Sequence, residues 1–388
     1  MLLYKEISPK HIVFCLIWLL LCFAAVVPYY EQLNKVALYV LIPLVFVLTF
    51  ICVTPKIPNR YFTGLSVLYG WVCFTAFFAY NAEVAQVELH QVLGCVLLCY
   101  ILASWAKYPK AIPWIYSIYI FLFSGAVYYA YNGILEGGLD LIGRVRVGDD
   151  ILNANKLAYY TFYLTFVFFI LGEIPLHGLL QKVFRVLYWS CFPIIIGIAI
   201  ATGSIQVPIL IIPFAVSLLC IRYWGTKESH KIWQRILLIV ILAGAFIYIV
   251  PKIMELIEAS TLGSRIAAGG STEERLTLLK EAWALGLEYP LVGVGPGNFR
   301  LFSSPALFSH NTYVELFANT GFIGMLIYLI LTTSFCIKCW RDKEWYFLLF
   351  GLFYIAYQFF YVFYADLWLM GFWIIVITHE DTAHTYRT

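Results

Sequence analysis

The sequence predicts an all-α integral membrane protein with about twelve transmembrane helices. Its hydrophobic fraction is 62% and its charged fraction only 12%, whereas soluble domains average roughly 45–50% and about 25%. So few charges cannot cover a folded surface in water. Apolar runs of spanning length recur along the chain, and Lys and Arg gather in alternate connections between them. The net charge of +3 is too small to indicate a nucleic-acid partner, so none is expected.

The predicted spans follow from the need for about 20 mostly apolar residues per crossing. The first run has no small-residue cleavage site after Cys22 and is followed by further runs, so it is interpreted as a retained helix, not a signal peptide. Thr202-Gly203-Ser204 makes a very tight turn, and if the runs around it form one broken helix, the spans number eleven. The candidate spans are residues 11–29, 36–54, 61–80, 88–105, 111–133, 156–172, 184–202, 205–222, 234–251, 312–335, 344–363 and 366–378.

The distribution of basic residues predicts the orientation of these spans. With the N-terminus inside, the inner connections and the two tails hold sixteen Lys and Arg residues and the outer connections nine, although the two longest loops are outer. Basic residues are enriched in cytoplasmic loops, so both termini are expected in the cytoplasm. None of the ten cysteines lies in a long outer loop, which argues against a disulfide framework. Cys336-Ile-Lys-Cys339 alone is a weak metal-ligand signal, and no metal site is expected.

Residues 1–388 are expected to form a single membrane domain with two long outer loops, 135–155 and 252–311. Long ordered loops carry function more often than short ones do. In the second loop, Ser271-Thr272-Glu273-Glu274 has the pattern of a helix-starting capping box. Apolar residues at helical spacing then predict an amphipathic helix over Thr272–Leu287, lying on the membrane face or on the bundle. The apolar stripe comprises Leu276, Leu279, Ala282, Trp283 and Leu287, with Arg275 and Lys280 beside it.

The end of the second loop combines a glycine-rich segment with a histidine. Gly293-Val294-Gly295-Pro296-Gly297 can form a turn, or it can present backbone N–H groups to a phosphate. His310-Asn311 follows at the start of the next predicted span, where a neutral imidazole can act as a general base or hydrogen-bond locally. Glu315 is expected one helical turn inside that span, and ionisable groups in spans are candidates for function.

The first outer loop contains two arginines one residue apart, Arg144 and Arg146. Their planar, permanently charged guanidinium groups suit a diphosphate or another anion. They can equally pair with Asp149 and Asp150, which follow shortly after. The adjacent aspartates also suggest a divalent ion, but too few outer carboxylates accompany them to support a metal site.

Taken together, these segments resemble the O-antigen polymerase and ligase superfamily. Segments near mid-chain and in the second loop carry the resemblance. They are Arg146 to Asn155, Arg275 to Trp283, Tyr289-Pro290 to Asn298-Phe299, His310-Asn311-Thr312-Tyr313 and Gly321-Phe322-Ile323-Gly324. One departure is the stretch Thr202-Gly203-Ser204-Ile205, because many members have an arginine in the place of Ile205.

The resemblance implies a GT-C-like, membrane-embedded glycosyltransferase that needs neither metal nor cofactor and inverts the anomeric carbon. Its expected donor is a glycan on undecaprenyl diphosphate at the periplasmic face of the bacterial inner membrane, so the outer loops become periplasmic loops. A polymerase passes the glycan to another lipid-linked repeat unit, whereas a ligase passes it to lipid A–core. Membrane lipids and a chain-length regulator are the other expected partners.

The resemblance also assigns residues. By position, His310 corresponds to the essential histidine of the family and Arg275 to the arginine of the loop helix. We expect His310 to accept the proton of the acceptor hydroxyl or to orient it, and Arg275 to stabilise the departing diphosphate. Gly293 and Gly295 are expected to shape the substrate pocket. The other expected substrate contacts are Arg144, Arg146, Arg265, Arg300, Asn155, Asn311, Tyr313 and Glu315.

The missing arginine bears on the choice of activity. One of Arg144, Arg146, Arg265 and Arg300 is expected to replace it. Its absence and the context Asn311-Thr312-Tyr313 favour a polymerase over a ligase. A flippase or transporter is a third interpretation, but it predicts two related halves and charges near the midplane. No repeat is evident between residues 1–194 and 195–388.

Overall fold

The computed structural model describes residues 35–52, 59–106, 112–137, 154–173, 179–202, 204, 206–225, 270–304, 307–362 and 371–385. Within these ranges the regular secondary structure is helical and no strand occurs. The predicted spans 11–29 and 234–251 lie outside the described residues, as does most of the first outer loop and the start of the second.

The helices follow one another through mostly short connections. They are α1 (Ile42–Cys52), α2 (Arg60–Thr75), α3 (Ala82–Ala106), α4 (Ile112–Gly137), α5 (Ala154–Glu173), α6 (Leu179–Ala201), α7 (Ile212–Gly225), α8 (Gly270–Glu288), α9 (Thr312–Asp342), α10 (Trp345–Tyr357) and α11 (Gly371–Thr385). Two π-helical turns, Ala37–Leu41 and Val207–Ile211, lead into α1 and α7. Two 3₁₀ turns, Ala76–Phe78 and Asn298–Leu301, follow α2 and the glycine-rich segment.

The length and composition of the helices fit an integral membrane protein. Among the described residues, Arg60–Phe78, Ala82–Ala106 and Thr312–Asp342 are long and apolar enough to cross a membrane. Several shorter helices are also apolar, including Leu157–Gly172 and Trp345–Tyr357. The number of spans, twelve or eleven, and the GT-C-like arrangement remain predictions.

Helix α3 begins earlier than the sequence pattern predicts. The expected span starts at residue 88, whereas α3 starts at Ala82. Asn81 is the reason, because its Oδ1 accepts hydrogen bonds from the N–H groups of Glu83 at 3.0 Å and Val84 at 3.2 Å. A side-chain cap of this kind satisfies N–H groups that the first turn leaves without partners. Hydropathy alone does not detect it, since Glu83, Gln86 and Glu88 interrupt the apolar residues at the start of α3.

Helix α9 is two helices that meet at Gly321. That glycine has φ 73° and ψ −177°, which is not a helical conformation. The rings of Tyr313 and Tyr328 lie 6.1 Å apart, whereas a continuous helix would separate these residues by about 22 Å. The chain therefore folds back at Gly321, and a first arm of α9, residues 312–320, packs against a second arm, residues 322–342. The prediction of one continuous span over 312–335 is wrong in this respect; the second arm alone has the roughly 20 residues needed for a crossing.

The chain divides into two compact units. The first comprises Met1–Gly125, Arg275–Arg341 and Tyr354–Thr388, and the second comprises Ala126–Glu274 and Asp342–Phe353. The core of the first unit contains hydrogen-bonded tyrosines, with the Tyr328 and Tyr354 hydroxyls 2.9 Å apart. In the core of the second unit, the rings of Phe166 and Phe350 stack with centroids 4.1 Å apart. The expectation of a single membrane domain over 1–388 stays a prediction.

Candidate functional site

Helix α8 supports the site and was predicted from its sequence. The expected helix over Thr272–Leu287 is present as Gly270–Glu288. Its buried side consists of Leu278, Ala282 and Leu285, which recur at the three- and four-residue spacing of one helical face. This side packs against the first arm of α9 and the glycine-rich segment, in a cluster that includes Val294, Phe299, Val314 and Ala318.

The predicted apolar stripe of α8 is divided between a side that packs on the protein and a side that is exposed. Ala282 is buried and Leu279 is partly buried against the cluster. Leu276, Trp283 and Leu287 are instead exposed, by 51%, 47% and 60%. Apolar residues occupy two sides of α8, so helical spacing alone could not decide which side faces the protein.

The glycine-rich segment terminates the first arm of α9. The last carbonyls of a helix have no partner inside the helix. Here the Ala318 carbonyl accepts from Val294 N–H and the Asn319 carbonyl from Gly295 N–H, each at 2.9 Å. The Thr320 carbonyl accepts from the indole Nε1 of Trp71 at 2.8 Å. These three carbonyls thus accept hydrogen bonds from groups outside the helix.

Glycine is required where this segment meets the first arm. Gly293 has φ 66°, and a Cβ atom on it would lie 2.5 Å from the Ala318 carbonyl oxygen. Gly321 has φ 73°, and a Cβ atom there would collide with the Leu291 carbonyl. The N–H groups of Gly293 and Gly295 donate to the Tyr289 and Asn319 carbonyls. Both amides are therefore used in hydrogen bonds within the protein. A substrate contact by either glycine stays a prediction.

Asn319 connects the segment around Phe299 to the segment around Ser309. It was not among the predicted site residues. Its Oδ1 accepts from the Phe299 N–H at 2.9 Å, and its Nδ2 donates to Glu315 Oε1 at 3.2 Å. The other carboxylate oxygen of Glu315 accepts from the Ser309 N–H at 2.7 Å. A buried amide and a buried carboxylate thus hold the segments around Phe299 and Ser309 together. The signal in the sequence was a polar pair, Asn319-Thr320, interrupting an apolar run.

His310 is held in an unusual backbone conformation. Its φ is 56°, in the left-handed region that costs most residues energy and that recurs at functional sites. Ser309 before it is tied to Glu315, and the Ser309 hydroxyl donates to the Asn311 carbonyl at 2.9 Å. Asn311 after it caps α9, because its Oδ1 accepts from the N–H groups of Tyr313 and Val314 at 3.0 and 3.1 Å.

The first residue of α9 is also hydrogen-bonded to the segment that follows α10. The Thr312 N–H donates to the Gln358 carbonyl at 2.8 Å, and the Thr312 hydroxyl donates to the Tyr361 carbonyl at 2.7 Å. The residues on both sides of His310 are therefore fixed, which holds the backbone of His310 in a defined place.

The electrostatic surroundings of His310 are positive. Burial and, after it, the nearby charge of Arg275 lower the pKa of His310 from 6.5 to about 4. The imidazole is therefore neutral at physiological pH. No carboxylate among the described residues pairs with Arg275, so its charge next to His310 is not neutralised there. A guanidinium beside a neutral imidazole is an arrangement that an anionic ligand would complete.

The remaining predicted residues that the structure describes fall into two groups. Arg300 lies at the end of the 3₁₀ turn, with its guanidinium 4.5 Å from the centre of the Phe308 ring and in electrostatic interaction with Glu315. Tyr313 and Glu315 are buried in the first arm of α9, and the Tyr313 ring packs 5.3 Å from that of Phe359. Glu315 was expected inside a membrane span, but protein surrounds it in this short helix. Substrate contacts by Arg300, Asn311, Tyr313 and Glu315 stay predictions.

The described residues do not include every predicted site residue. Arg144, Arg146 and Arg265 lie outside them, and Asn155 lies in the first turn of α5 with its side chain outside them. Near the missing family arginine, Thr202 and Ser204 are buried and Ile205 is not described. Which arginine replaces the missing one stays open.

One comparison with known protein families matches the part of the chain that holds this site. The family model described as O-antigen ligase matches residues 191–329. This match covers α8, the glycine-rich segment, His310 and the first arm of α9. No curated protein gave a significant match. The match to residues 191–329 supports the resemblance of this chain to the O-antigen polymerase and ligase superfamily.

Proposed function

We propose that this protein is a metal-independent glycosyltransferase that polymerises oligosaccharide repeat units linked to undecaprenyl diphosphate. The product would be O-antigen or a related surface polysaccharide, made at the periplasmic face of the bacterial inner membrane. In this proposal the chain spans the membrane about twelve times with both termini in the cytoplasm. A second lipid-linked repeat unit is the acceptor, and a chain-length regulator is a partner.

The observation that carries the proposal is the placement of Arg275 beside His310 with no carboxylate paired to it in the described structure. A leaving diphosphate gains negative charge as its bond to the sugar breaks. A guanidinium already in place stabilises that charge without a metal ion, and at no cost of reorganisation during the reaction. Arg300 interacts electrostatically with the buried Glu315, which offsets its charge, so the proposal rests on Arg275.

The reaction requires one bond to form and one to break. The acceptor hydroxyl oxygen attacks C1 of the donor sugar on the side opposite the diphosphate, which inverts the anomeric carbon. The bond from C1 to the diphosphate oxygen breaks, and its electron pair leaves with the diphosphate. The proton of the acceptor hydroxyl passes to His310, which is neutral and can receive it.

The low pKa of His310 fits this order of events. A base with a pKa of about 4 holds a proton weakly. Binding of the diphosphate would offset the charge of Arg275, so the pKa of His310 would rise towards its ordinary value. The histidine would therefore become a stronger base only when the donor is bound.

A ligase is the second candidate, and the description of the matching family model as O-antigen ligase favours it. Both activities use the same donor and the same leaving group. They differ in the acceptor, which is a lipid-linked repeat unit for a polymerase and lipid A–core for a ligase. The missing arginine near Ile205 and the context of Asn311-Thr312-Tyr313 favour the polymerase.

The surface glycan of a bacterial strain lacking this gene tests the proposal. If lipid A–core still carries one repeat unit but no longer chain, ligation works without this protein and polymerisation does not, as we propose. If lipid A–core carries no repeat unit while long chains accumulate on undecaprenyl diphosphate, the protein is the ligase. An unchanged ladder of chain lengths would count against both activities for that glycan.

A further inference from the structure

Helix α8 has an apolar side that is exposed among the residues the structure describes. Leu276, Trp283 and Leu287 are exposed by 51%, 47% and 60%. They are separated by seven and four residues, which places them in one row along the helix at 3.6 residues per turn. We refer to these three residues as the outer stripe of α8.

The outer stripe is distinct from both other sides of the helix. Leu278, Ala282 and Leu285 are buried against the first arm of α9. On a third side, roughly 100–120° around the helix from the outer stripe, Thr277 and Glu288 are polar and exposed. A surface helix of a soluble protein shows one apolar side facing the core. A second apolar row, exposed and including a tryptophan, indicates an additional apolar environment outside the protein.

The outer stripe leads towards the surface of a helix that is long and apolar enough to cross a membrane. Leu291 follows α8 and is 68% exposed. The Phe322 N–H donates to the Pro290 carbonyl at 2.8 Å, so the connection after α8 touches the start of the second arm of α9. From there Phe322, Leu326 and Ile330 are exposed by 50%, 38% and 54%, at a spacing that keeps them on one side. In a membrane-spanning helix, an exposed apolar side faces lipid.

The charge beside the outer stripe suits the same environment. Lys280 is exposed and lies between the outer stripe and the polar side of α8. Lysine can lay its aliphatic chain along an apolar surface while its ammonium group reaches the phosphates of lipid headgroups. Tryptophan is enriched at the same depth of a bilayer, because its ring is apolar and its indole N–H is polar.

We propose that α8 lies in the membrane interface, with Leu276, Trp283 and Leu287 inserted at the boundary of the acyl chains and Lys280 at the headgroup phosphates. The partner of this surface is the phospholipid bilayer. The insertion holds α8 at one depth in the membrane. It thereby also sets the depth of Arg275 and of the first arm of α9, which packs on α8 and begins next to His310. If the proposed function is correct, this depth is the one at which the diphosphate of a lipid-linked donor lies; the insertion itself does not depend on that function.

Photocrosslinking in the membrane tests this inference without reference to activity. The full-length protein carries p-benzoylphenylalanine in place of one residue, in native inner membranes or in vesicles of phosphatidylethanolamine and phosphatidylglycerol. The stripe variants replace Leu276, Trp283 or Leu287, and the matched controls replace Thr277, Ala284 or Glu288, which are exposed on the polar side of the same helix. After illumination, mass spectrometry identifies the molecule attached at each position.

We expect phospholipid adducts at the stripe positions, several-fold more abundant than at the controls. Equal labelling at both sets, or adducts to a second copy of the chain or to another protein at the stripe positions, would overturn the inference. Because Trp283 also contacts Phe317, with rings 5.1 Å apart, its variant is the one whose folding is most at risk. Leu276 and Leu287 then decide the result.

Discussion

Glu315 Oε2 accepts a hydrogen bond from the Ser309 backbone N–H at 2.7 Å, inside the protein and directly before His310. The same carboxylate accepts from Asn319 Nδ2 at 3.2 Å, and Asn319 in turn accepts from the Phe299 N–H. One buried side chain therefore positions the segment that carries His310 and connects it to the end of the glycine-rich segment. Its role in the site is positional, and it can be tested separately from the catalytic chemistry.

Glu315→Gln should weaken the site although it preserves the volume of the side chain. A glutamine has one oxygen acceptor, so its NH₂ group would face either the Ser309 N–H or Asn319 Nδ2, both donors. A buried donor left without an acceptor costs about 1–3 kcal/mol. We expect a lower thermal unfolding midpoint in detergent and a loss of polymer. Glu288→Gln, at an exposed position on α8, is the control and should match the wild type; equal behaviour of both variants would contradict the positional role.

Arg275→Ala should reduce turnover by about 100-fold or more, as removal of one preorganised electrostatic group does in other active sites. The departing diphosphate would lose the cation next to His310. Arg341→Ala removes an exposed positive charge from the last turn of α9 and should have a much smaller effect on the rate. The measurement is the rate of chain extension with purified protein. Wild-type turnover in Arg275→Ala would move the diphosphate site to other arginines.

The pH dependence of stability should report the environment of His310. Its folded pKa is about 4, below the ordinary 6.5. Between these values the unfolded chain binds more protons than the folded one, so stability falls as the pH drops from 6.5 towards 4 and does not change on this account above that range. His310→Gln removes this contribution. Unfolding midpoints at pH 4.5 and 7 should therefore differ more for the wild type than for His310→Gln, and an equal difference would show that His310 is not held in its neutral form.

Gly321→Ala should disrupt the fold-back of α9. Alanine at φ 73° is strained by about 1–2 kcal/mol, and its Cβ would also collide with the Leu291 carbonyl. We expect a marked loss of folded protein in the membrane, seen as a lower monodisperse yield after detergent extraction. Gly70→Ala in α2 is the matched control, because nothing lies within 4 Å of the added Cβ. A normal yield for Gly321→Ala would mean that the two arms do not depend on this turn.

Local sequence patterns predicted much of this structure, and long-range contacts account for what they missed. The helix over Thr272–Leu287 and its end at Tyr289-Pro290 were predicted correctly, because helical spacing and a helix-ending proline involve neighbouring residues. The fold-back at Gly321 was missed, since Asn319-Thr320 interrupts the apolar run only briefly. The contact between Tyr313 and Tyr328 that shows the fold-back joins residues distant in the sequence.

In the candidate site, too, local patterns identified single residues, whereas the interactions between them depend on long-range contacts. His310 and Arg275 were chosen as separate residues, and their electrostatic contact depends on how α8 packs against α9. Asn319 was not chosen, because its importance comes from hydrogen bonds to Phe299 and Glu315, which only the folded chain brings near it.

The central claim is that this protein extends lipid-linked glycans by a reaction that uses His310 and no metal. Its most direct test is the purified protein in lipid vesicles, supplied with undecaprenyl-diphosphate-linked repeat units and a metal chelator, and compared with His310→Ala. We predict that the wild type makes a ladder of chain lengths and that His310→Ala, though normally inserted and folded, makes none. A ladder of equal length from His310→Ala, or no product longer than one unit from the wild type, would contradict the claim.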